Sequence, residues 1–143
     1  MEPFTSKAWL LDGAIDSLPG LLNFDGQRLR FLILTEGTFP ESKLNELLTA
    51  HGKHTTEFPI ELFSVSRDEV ASFKIPWYYF NGGAKVLINN RAYRFSFVHP
   101  QNTVDPSHYS EHLRQWVGGA GQEEVDIPAA QSAGKQWKKI LAR

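Results

Sequence analysis

The stretch that indicates the fold most directly runs from Leu21 to Phe31 and reads Leu-Leu-Asn-Phe-Asp-Gly-Gln-Arg-Leu-Arg-Phe. Asp25-Gly26 separates two runs rich in apolar residues, and both residue types tolerate the positive φ angles that a tight turn between antiparallel strands needs. In the second run Leu29, Phe31 and Ile33 point to one side and the arginines to the other, as in a strand with one buried face. The stretch predicts a β-hairpin.

Strand patterns continue on both sides of this hairpin. Ala8 to Ile15 is typical of a strand with a bend at Gly13, and Leu18-Pro19-Gly20 has the composition of a turn. Farther along, two runs with alternating apolar residues flank Asn89-Asn90, which predicts a second hairpin with a two-residue turn. The chain is therefore predicted to be mainly β.

Two helices are predicted beside the strands. Thr38-Phe39-Pro40-Glu41 matches a capping box with proline in the first turn, and leucines at helical spacing follow it up to Gly52. Asp105-Pro106 predicts the start of a later helix. Its apolar stripe consists of Tyr109, Leu113, Trp116 and Val117. Short antiparallel strands closed by a terminal amphipathic helix predict a small barrel or sandwich with one inserted helix.

The composition fits one globular domain. The chain has 143 residues and is 41% hydrophobic, 22% charged and 13% aromatic. It contains no cysteine, which excludes disulfides, thiolate nucleophiles and cysteine-bound zinc. A formal charge of −1 argues against a nucleic-acid partner. The first residues show no signal pattern, and no apolar run approaches the ~20 residues of a membrane helix, so a cytoplasmic location is expected.

Three segments of the chain resemble the pleckstrin-homology-like (PH-like) superfold, nearest to its GRAM and bacterial PH-like members. The stretch from Leu21 to Phe31 is similar to an early hairpin of that family, which ends in a basic-apolar-basic-aromatic strand. Val65 to Pro76, followed by Gly82-Gly83, is similar to the strand, glycine turn and hairpin of the family's core. Trp116 lies where PH domains place a packing tryptophan. The resemblance implies a PH-like barrel over residues 1–118.

Members of this superfold mostly bind head groups, peptides or partner domains, so the resemblance implies a binding function rather than a catalytic one. Arg28-Leu29-Arg30 matches the basic triplet with which the family holds a phosphoinositide head group, which makes Arg28 and Arg30 lipid- or anion-binding candidates. The lysine of that motif is not matched, because Lys7 precedes the first predicted strand. Alternatively, both arginines lie on the solvated face of an edge strand and protect it from pairing.

The C-terminal segment has the most distinctive charge pattern of the chain. Residues 135–143 hold four basic and no acidic side chains, whereas residues 1–134 hold eleven basic and sixteen acidic ones. At about 100° per residue, Trp137, Ile140 and Leu141 fall on one side of a helix. The basic residues on the opposite side are Lys135, Lys138, Lys139 and Arg143. Residues 129–143 are therefore predicted to form a basic amphipathic helix behind a glycine-rich, acidic linker at 119–128.

Such a helix leaves three interpretations open. It binds an anionic membrane surface or a partner through its basic side chains, it docks on its own or a sister barrel, or it is disordered. Its three large apolar residues are interface candidates. Trp77 and Tyr78 are two more, since they belong to an aromatic run that suits either a contact loop or the core.

The sequence shows no pattern of residues that predicts a cofactor. His108 and His112 share a helix face beside Glu111, as metal ligands do, but the HExxH pattern is absent and no third ligand is indicated. A solvated polar face is the alternative. The chain also has no Gly-x-Ser-x-Gly nucleophile motif.

The sequence therefore predicts a non-enzymatic binding or scaffolding module that recognises a protein partner or a sister subunit. One alternative is a peripheral protein at the inner membrane surface, which binds anionic lipid or phosphoinositide through the tail and the two arginines. Another is a small metal-dependent hydrolase that uses His108 or His112. Self-association through sheet edges is expected as well.

Overall fold

The computed structural model describes residues 4–13, 16–55, 57–76, 82–98 and 130–141. In chain order the strands are β1 (Phe4–Asp12), β2 (Asp16–Phe24), β3 (Arg28–Ile33), β4 (Ile60–Ser66), β5 (Val70–Lys74), β6 (Gly83–Ile88) and β7 (Arg91–Ser96). The described helices are α1 (Glu41–Ala50) and α2 (Ala130–Ile140), and a 3₁₀ turn at Arg67–Glu69 joins β4 to β5. The mainly antiparallel fold with an inserted helix and a C-terminal helix is confirmed.

All seven strands belong to one antiparallel sheet, in the order β4-β3-β2-β1-β7-β6-β5. β1 connects a four-stranded meander to a three-stranded one, because it pairs with β2 along one edge and with β7 along the other. At its centre Leu10 lies opposite Leu18 on β2 and opposite Phe95 on β7. The two outermost strands are β4 and β5.

Both predicted hairpins are present. Asn89 and Asn90 adopt φ angles of 50° and 66°, the left-handed pair that a two-residue turn needs. At the other hairpin Gly26 has φ 104°, and the Asp25 carboxylate accepts hydrogen bonds from the backbone N–H groups of Gln27 (2.9 Å) and Arg28 (2.8 Å). The bond from the Arg28 N–H is the main reason that the pKa of Asp25 lies below its ordinary value.

The turn predicted at Leu18-Pro19-Gly20 is wrong, since these residues lie inside β2. The turn before β2 includes Gly13, which has φ 67°. Gly20 does not form a turn but allows the backbone of β3 to lie close to β2. A Cβ at this position would lie 2.3 Å from the carbonyl oxygen of Leu32. Glycine is thus required by the packing of β3 against β2.

The capping box predicted at Thr38 is also wrong. α1 begins after Pro40, and no side chain caps its N-terminus. The Thr38 hydroxyl instead accepts a hydrogen bond from the Ser17 N–H at 2.9 Å, which ties the chain before α1 to β2. A capping box does occur in the 3₁₀ turn, where Ser66 and Glu69 bond each other's backbone N–H groups.

One face of the sheet holds the hydrophobic core, and aromatic rings pack against one another at its centre. The ring centroids of Phe31 and Phe95 are 5.0 Å apart, and those of Phe63 and Tyr93 are 5.2 Å apart. The other face of β1–β3 is buried in part. The apolar side chains there are Trp9, Leu21, Leu32 and Leu34.

α2 packs its apolar side against the core. Trp137 is fully buried, its indole N–H donates to the Ser6 hydroxyl at 2.8 Å, and its ring lies 5.0 Å from Phe4 and 6.0 Å from Phe73. Ser6 and Phe4 belong to β1, whereas Phe73 belongs to β5. One side chain thus connects the middle of the sheet to its edge.

His51 follows α1 and joins it to β7. Its Nδ1 lies 3.0 Å from the Leu47 carbonyl oxygen, which can only accept, so Nδ1 carries the proton. In the neutral ring Nε2 then accepts from the Tyr93 hydroxyl at 2.6 Å. Burial is the main cause that lowers the pKa of His51, and the positive charges of Arg91 and Lys53 lower it further.

Truncation of the buried indole should destabilise the fold. We expect Trp137→Ala to lower the free energy of unfolding by about 3–5 kcal/mol, the range for large-to-small changes at buried aromatic sites. Lys138→Ala removes an exposed neighbour and should stay within about 0.5 kcal/mol of the parent chain. Urea unfolding measures both, and equal stability of the two variants would show that α2 does not depend on this contact.

Acid should weaken the fold through His51. Because its pKa is lower in the folded chain, the unfolded chain binds the proton more tightly. The stabilisation that neutral His51 contributes is fully present above its ordinary pKa of 6.5. It is lost as the pH falls through the lower pKa of His51 in the folded chain. We expect urea midpoints measured between neutral and acidic pH to fall less in His51→Gln than in the parent chain. His54→Gln, at an exposed position, should keep the parental pH dependence.

Candidate functional site

Several side chains on the outer face of β5, β6 and β7 reach solvent. Along β6, Lys85 and Leu87 are exposed, whereas Ala84, Val86 and Ile88 point into the core. A groove of about 650 Å³ lies over this face. That volume is within the usual range of ligand sites.

Three basic residues form a row across the groove. Lys74 on β5 lies opposite Lys85 on β6, and Lys85 lies opposite Arg94 on β7. Neighbouring strands are about 4.8 Å apart, so the three Cα positions span roughly 10 Å. The row therefore lines one side of the groove with basic side chains.

A second row of small and apolar side chains runs parallel to the first. Ser72 lies opposite Leu87, and Leu87 lies opposite Ala92. This row is two residues farther along each strand, about 6.6–6.8 Å from the basic row. Leu87 is 36% exposed, one of the more exposed large apolar side chains among the described residues. The groove thus combines a charged wall with an apolar wall.

β1 and its turn close one end of the basic row. Leu11 lies opposite Arg94, and the Arg94 guanidinium donates to the carbonyl oxygen of Gly13. The nearby Asp12 carboxylate pairs with Lys43 of α1 at 3.2 Å, and Lys43 also bonds Asp16 at 2.7 Å. The bonds to these two carboxylates, Asp16 first, raise the pKa of Lys43. Asp12, the acidic residue at this end of the groove, is therefore paired with Lys43.

The structure separates Arg28 and Arg30 from this groove, since both lie on β3. β3 pairs with β2 and β4 and is an interior strand, so the alternative of an edge-strand position is wrong. Arg28 donates through Nε to the Ser64 hydroxyl at 2.8 Å, and Arg30 donates to the Asn23 side-chain oxygen at 2.6 Å and 3.0 Å. Their guanidinium groups contact neighbouring strands of the same sheet.

The tail candidates divide between the core and the surface. Trp137, Ile140 and Leu141 are buried, so as interface residues they contact this chain's own barrel and not an outside surface. Their burial corresponds to the alternative in which the helix docks on its own chain, and it removes apolar surface from water. The exposed candidates on the opposite side are Lys135, Lys138 and Lys139.

The remaining candidates fall outside the described residues. They are Arg143, Trp77 and Tyr78, together with the histidine pair at 108 and 112, the predicted helix from 105 and the linker at 119–128. Within the described ranges, no group of three or more histidine or acidic side chains could hold a metal ion. No described helix is long and apolar enough to cross a membrane.

Comparison with known proteins leaves the site to be interpreted from its chemistry. No protein-family model matches the chain, and no curated protein matches it. The arrangement of the groove is thus the main guide to function.

Sequence reasoning missed the basic row, although part of the signal was present. A two-residue turn at Asn89-Asn90 sets the register of its hairpin, and that register places Lys85 opposite Arg94. Lys74 could not be added in this way, because β5 ends at Lys74 and β6 begins only at Gly83. Its register shifts near Val70 and depends on the folded sheet.

Proposed function

We propose that this chain is a non-enzymatic binding module that recognises a segment of a protein partner or a sister subunit in the groove over β5, β6 and β7. The observation that carries the proposal is the pair of parallel rows, basic and apolar, on an exposed face of a well-packed sheet. Protein interfaces combine apolar contact with oriented charge in this way.

The distribution of burial supports this choice of surface. Several apolar side chains on the outer face of β1–β3 are buried, including Trp9 and Leu21. The outer face of β5–β7 keeps Lys74, Lys85 and Leu87 in contact with solvent. The relationship to the PH-like superfold stays a proposal, supported by short antiparallel strands with a helix at the C-terminal end.

Lipid binding through the tail is the second candidate function. The exposure of Lys135, Lys138 and Lys139 on one side of α2 favours it. Each lysine near an anionic surface contributes about 1 kcal/mol, and the apolar side of the helix is occupied by the core. The lysines alone would give weak and salt-sensitive membrane binding.

A peptide library displayed on phage tests the groove. We expect the full chain to select peptides whose affinity, measured by fluorescence polarisation, falls at least about ten-fold in Ala92→Arg, because the arginine extends from the apolar row into the groove. Ser132→Arg places the same side chain on an exposed position of α2 and should bind like the parent chain. Urea unfolding of both variants separates lost binding from lost folding.

Two outcomes would contradict this proposal. One is that no peptide is selected, or that selected peptides bind parent and Ala92→Arg chains equally. The other is flotation of the parent chain with phosphatidylserine vesicles that disappears when Lys135, Lys138 and Lys139 are changed to glutamine, with no groove-dependent peptide. That result would establish the lipid candidate.

A further inference from the structure

We infer that the outer edge of β4 is a pairing surface for β4 of a second copy, and that Arg28 and Glu69 keep this edge closed. The surface is separate from the groove, because β4 and β5 lie at opposite ends of the strand order. Two hydrogen bonds carry the inference. Through them the two side chains occupy backbone groups of Ser64 and Ser66 that a further strand would bond.

A backbone bond next to β4 shows which groups of the strand face its open edge. The Arg67 N–H donates to the Gln27 carbonyl oxygen at 3.1 Å, so the backbone groups of Arg67 face β3. Successive residues of an antiparallel strand direct their N–H and C=O groups to opposite sides. Ser66 and, two residues before it, Ser64 therefore direct theirs away from β3.

The hairpin on the other side of β3 agrees with this alternation. The Asp25 N–H donates to the Arg28 carbonyl oxygen at 3.2 Å, so the backbone groups of Arg28 face β2. Arg28 lies opposite Ser66, and the backbone groups of this pair therefore do not bond each other. Since β4 is an outermost strand of the described sheet, its outward groups face an edge where a strand could add.

The side chain of Arg28 reaches across β4 to this edge. Its Nε donates to the Ser64 hydroxyl at 2.8 Å, and its Nη2 donates to the carbonyl oxygen of the same residue. The two side chains share one face of the sheet, because Arg28 lies opposite Ser66 and Ser64 is two residues away. The guanidinium thus occupies the outward carbonyl that an added strand would bond.

Glu69 occupies the neighbouring N–H group from the 3₁₀ turn. Its carboxylate accepts from the Ser66 N–H at 3.0 Å and from the Asn89 side chain at 3.3 Å. The bond from the Ser66 N–H is the main reason that the pKa of Glu69 lies below its ordinary value, and the charge of Arg28 lowers it further. The carboxylate is therefore ionised at neutral pH and keeps the edge closed.

Self-complementarity points to a second copy of β4 as the occupant of this edge. In an antiparallel pair of two copies, Ser64 and Ser66 of one copy can lie opposite Ser66 and Ser64 of the other, so every outward group meets its complement. That register places Val65 beside Val65 and keeps the two Glu61 side chains apart. The strand reads Ile-Glu-Leu-Phe-Ser-Val-Ser, and its β-branched and aromatic residues favour strand pairing.

The other outermost strand is protected in a different way. The register of β5 shifts between Val70 and Ser72, and the strand ends at the exposed Lys74. Irregular pairing and an edge lysine both disfavour the addition of a strand. On β4 the register is regular from Phe63 to Ser66, so this stretch depends on side-chain bonds for its protection.

Removal of both side chains from the full chain tests the inference. We expect sedimentation velocity over a concentration series to show self-association at least about ten-fold stronger in Arg28→Ala/Glu69→Ala than in the parent chain, because the outward backbone groups of β4 become available. Arg91→Ala/Glu46→Ala removes the same residue types from exposed positions on β7 and α1. This control should associate like the parent chain.

A proline in the edge separates strand pairing from aggregation of a weakened chain. The Ser64 N–H faces away from β3, so Ser64→Pro removes no bond between β3 and β4 but disfavours an added strand. Combined with Arg28→Ala/Glu69→Ala, it should return self-association to the parental level. Urea unfolding checks that each variant folds. Parental association of the double variant, or stronger association that the proline leaves unchanged, would overturn the inference.

This result is independent of the proposed function. Peptide binding and its loss in Ala92→Arg report on the groove over β5–β7, whereas the proline reports on β4. Either surface can therefore fail its test while the other passes.

Discussion

The pairing of β1 with β7 is the constraint on which the rest of the structure depends. It joins a four-stranded and a three-stranded meander into one sheet, because β1 uses both of its edges. It also brings Leu11 opposite Arg94 and places the Gly13 carbonyl within reach of that guanidinium. One end of the groove over β5–β7 is therefore formed by the pairing of β1 with β7, two strands that are far apart in the sequence.

The buried indole of Trp137 holds the two ends of this arrangement together. Its ring contacts Phe4 of β1 and Phe73 of β5, and Phe73 precedes Lys74 of the basic row. Docking of α2 thus fixes the strand that carries one of the three cations. It also turns the basic side of α2 to solvent, so the positive charge of the tail and that of the groove lie on separate surfaces of one domain.

Local patterns predicted the hairpins well and failed where a residue serves a distant contact. Asn89-Asn90 and Asp25-Gly26 form the predicted turns, because a tight turn depends on the φ preferences of its own residues. Gly20 and Thr38 resemble local turn and cap signals, but they form neither. Gly20 is required by the approach of β3, and Thr38 bonds Ser17, so both functions depend on other parts of the chain.

By itself, the sequence determined a mainly β domain, its two tight hairpins, the inserted helix and a C-terminal amphipathic helix with lysines on one side. Periodicity and turn preference are properties of short segments, which explains this success. Only the tertiary structure decided that Trp137 is buried and that Lys74 joins Lys85 and Arg94 in one row. Register between strands without a tight turn, and the choice of which apolar face is covered, depend on packing of the whole chain.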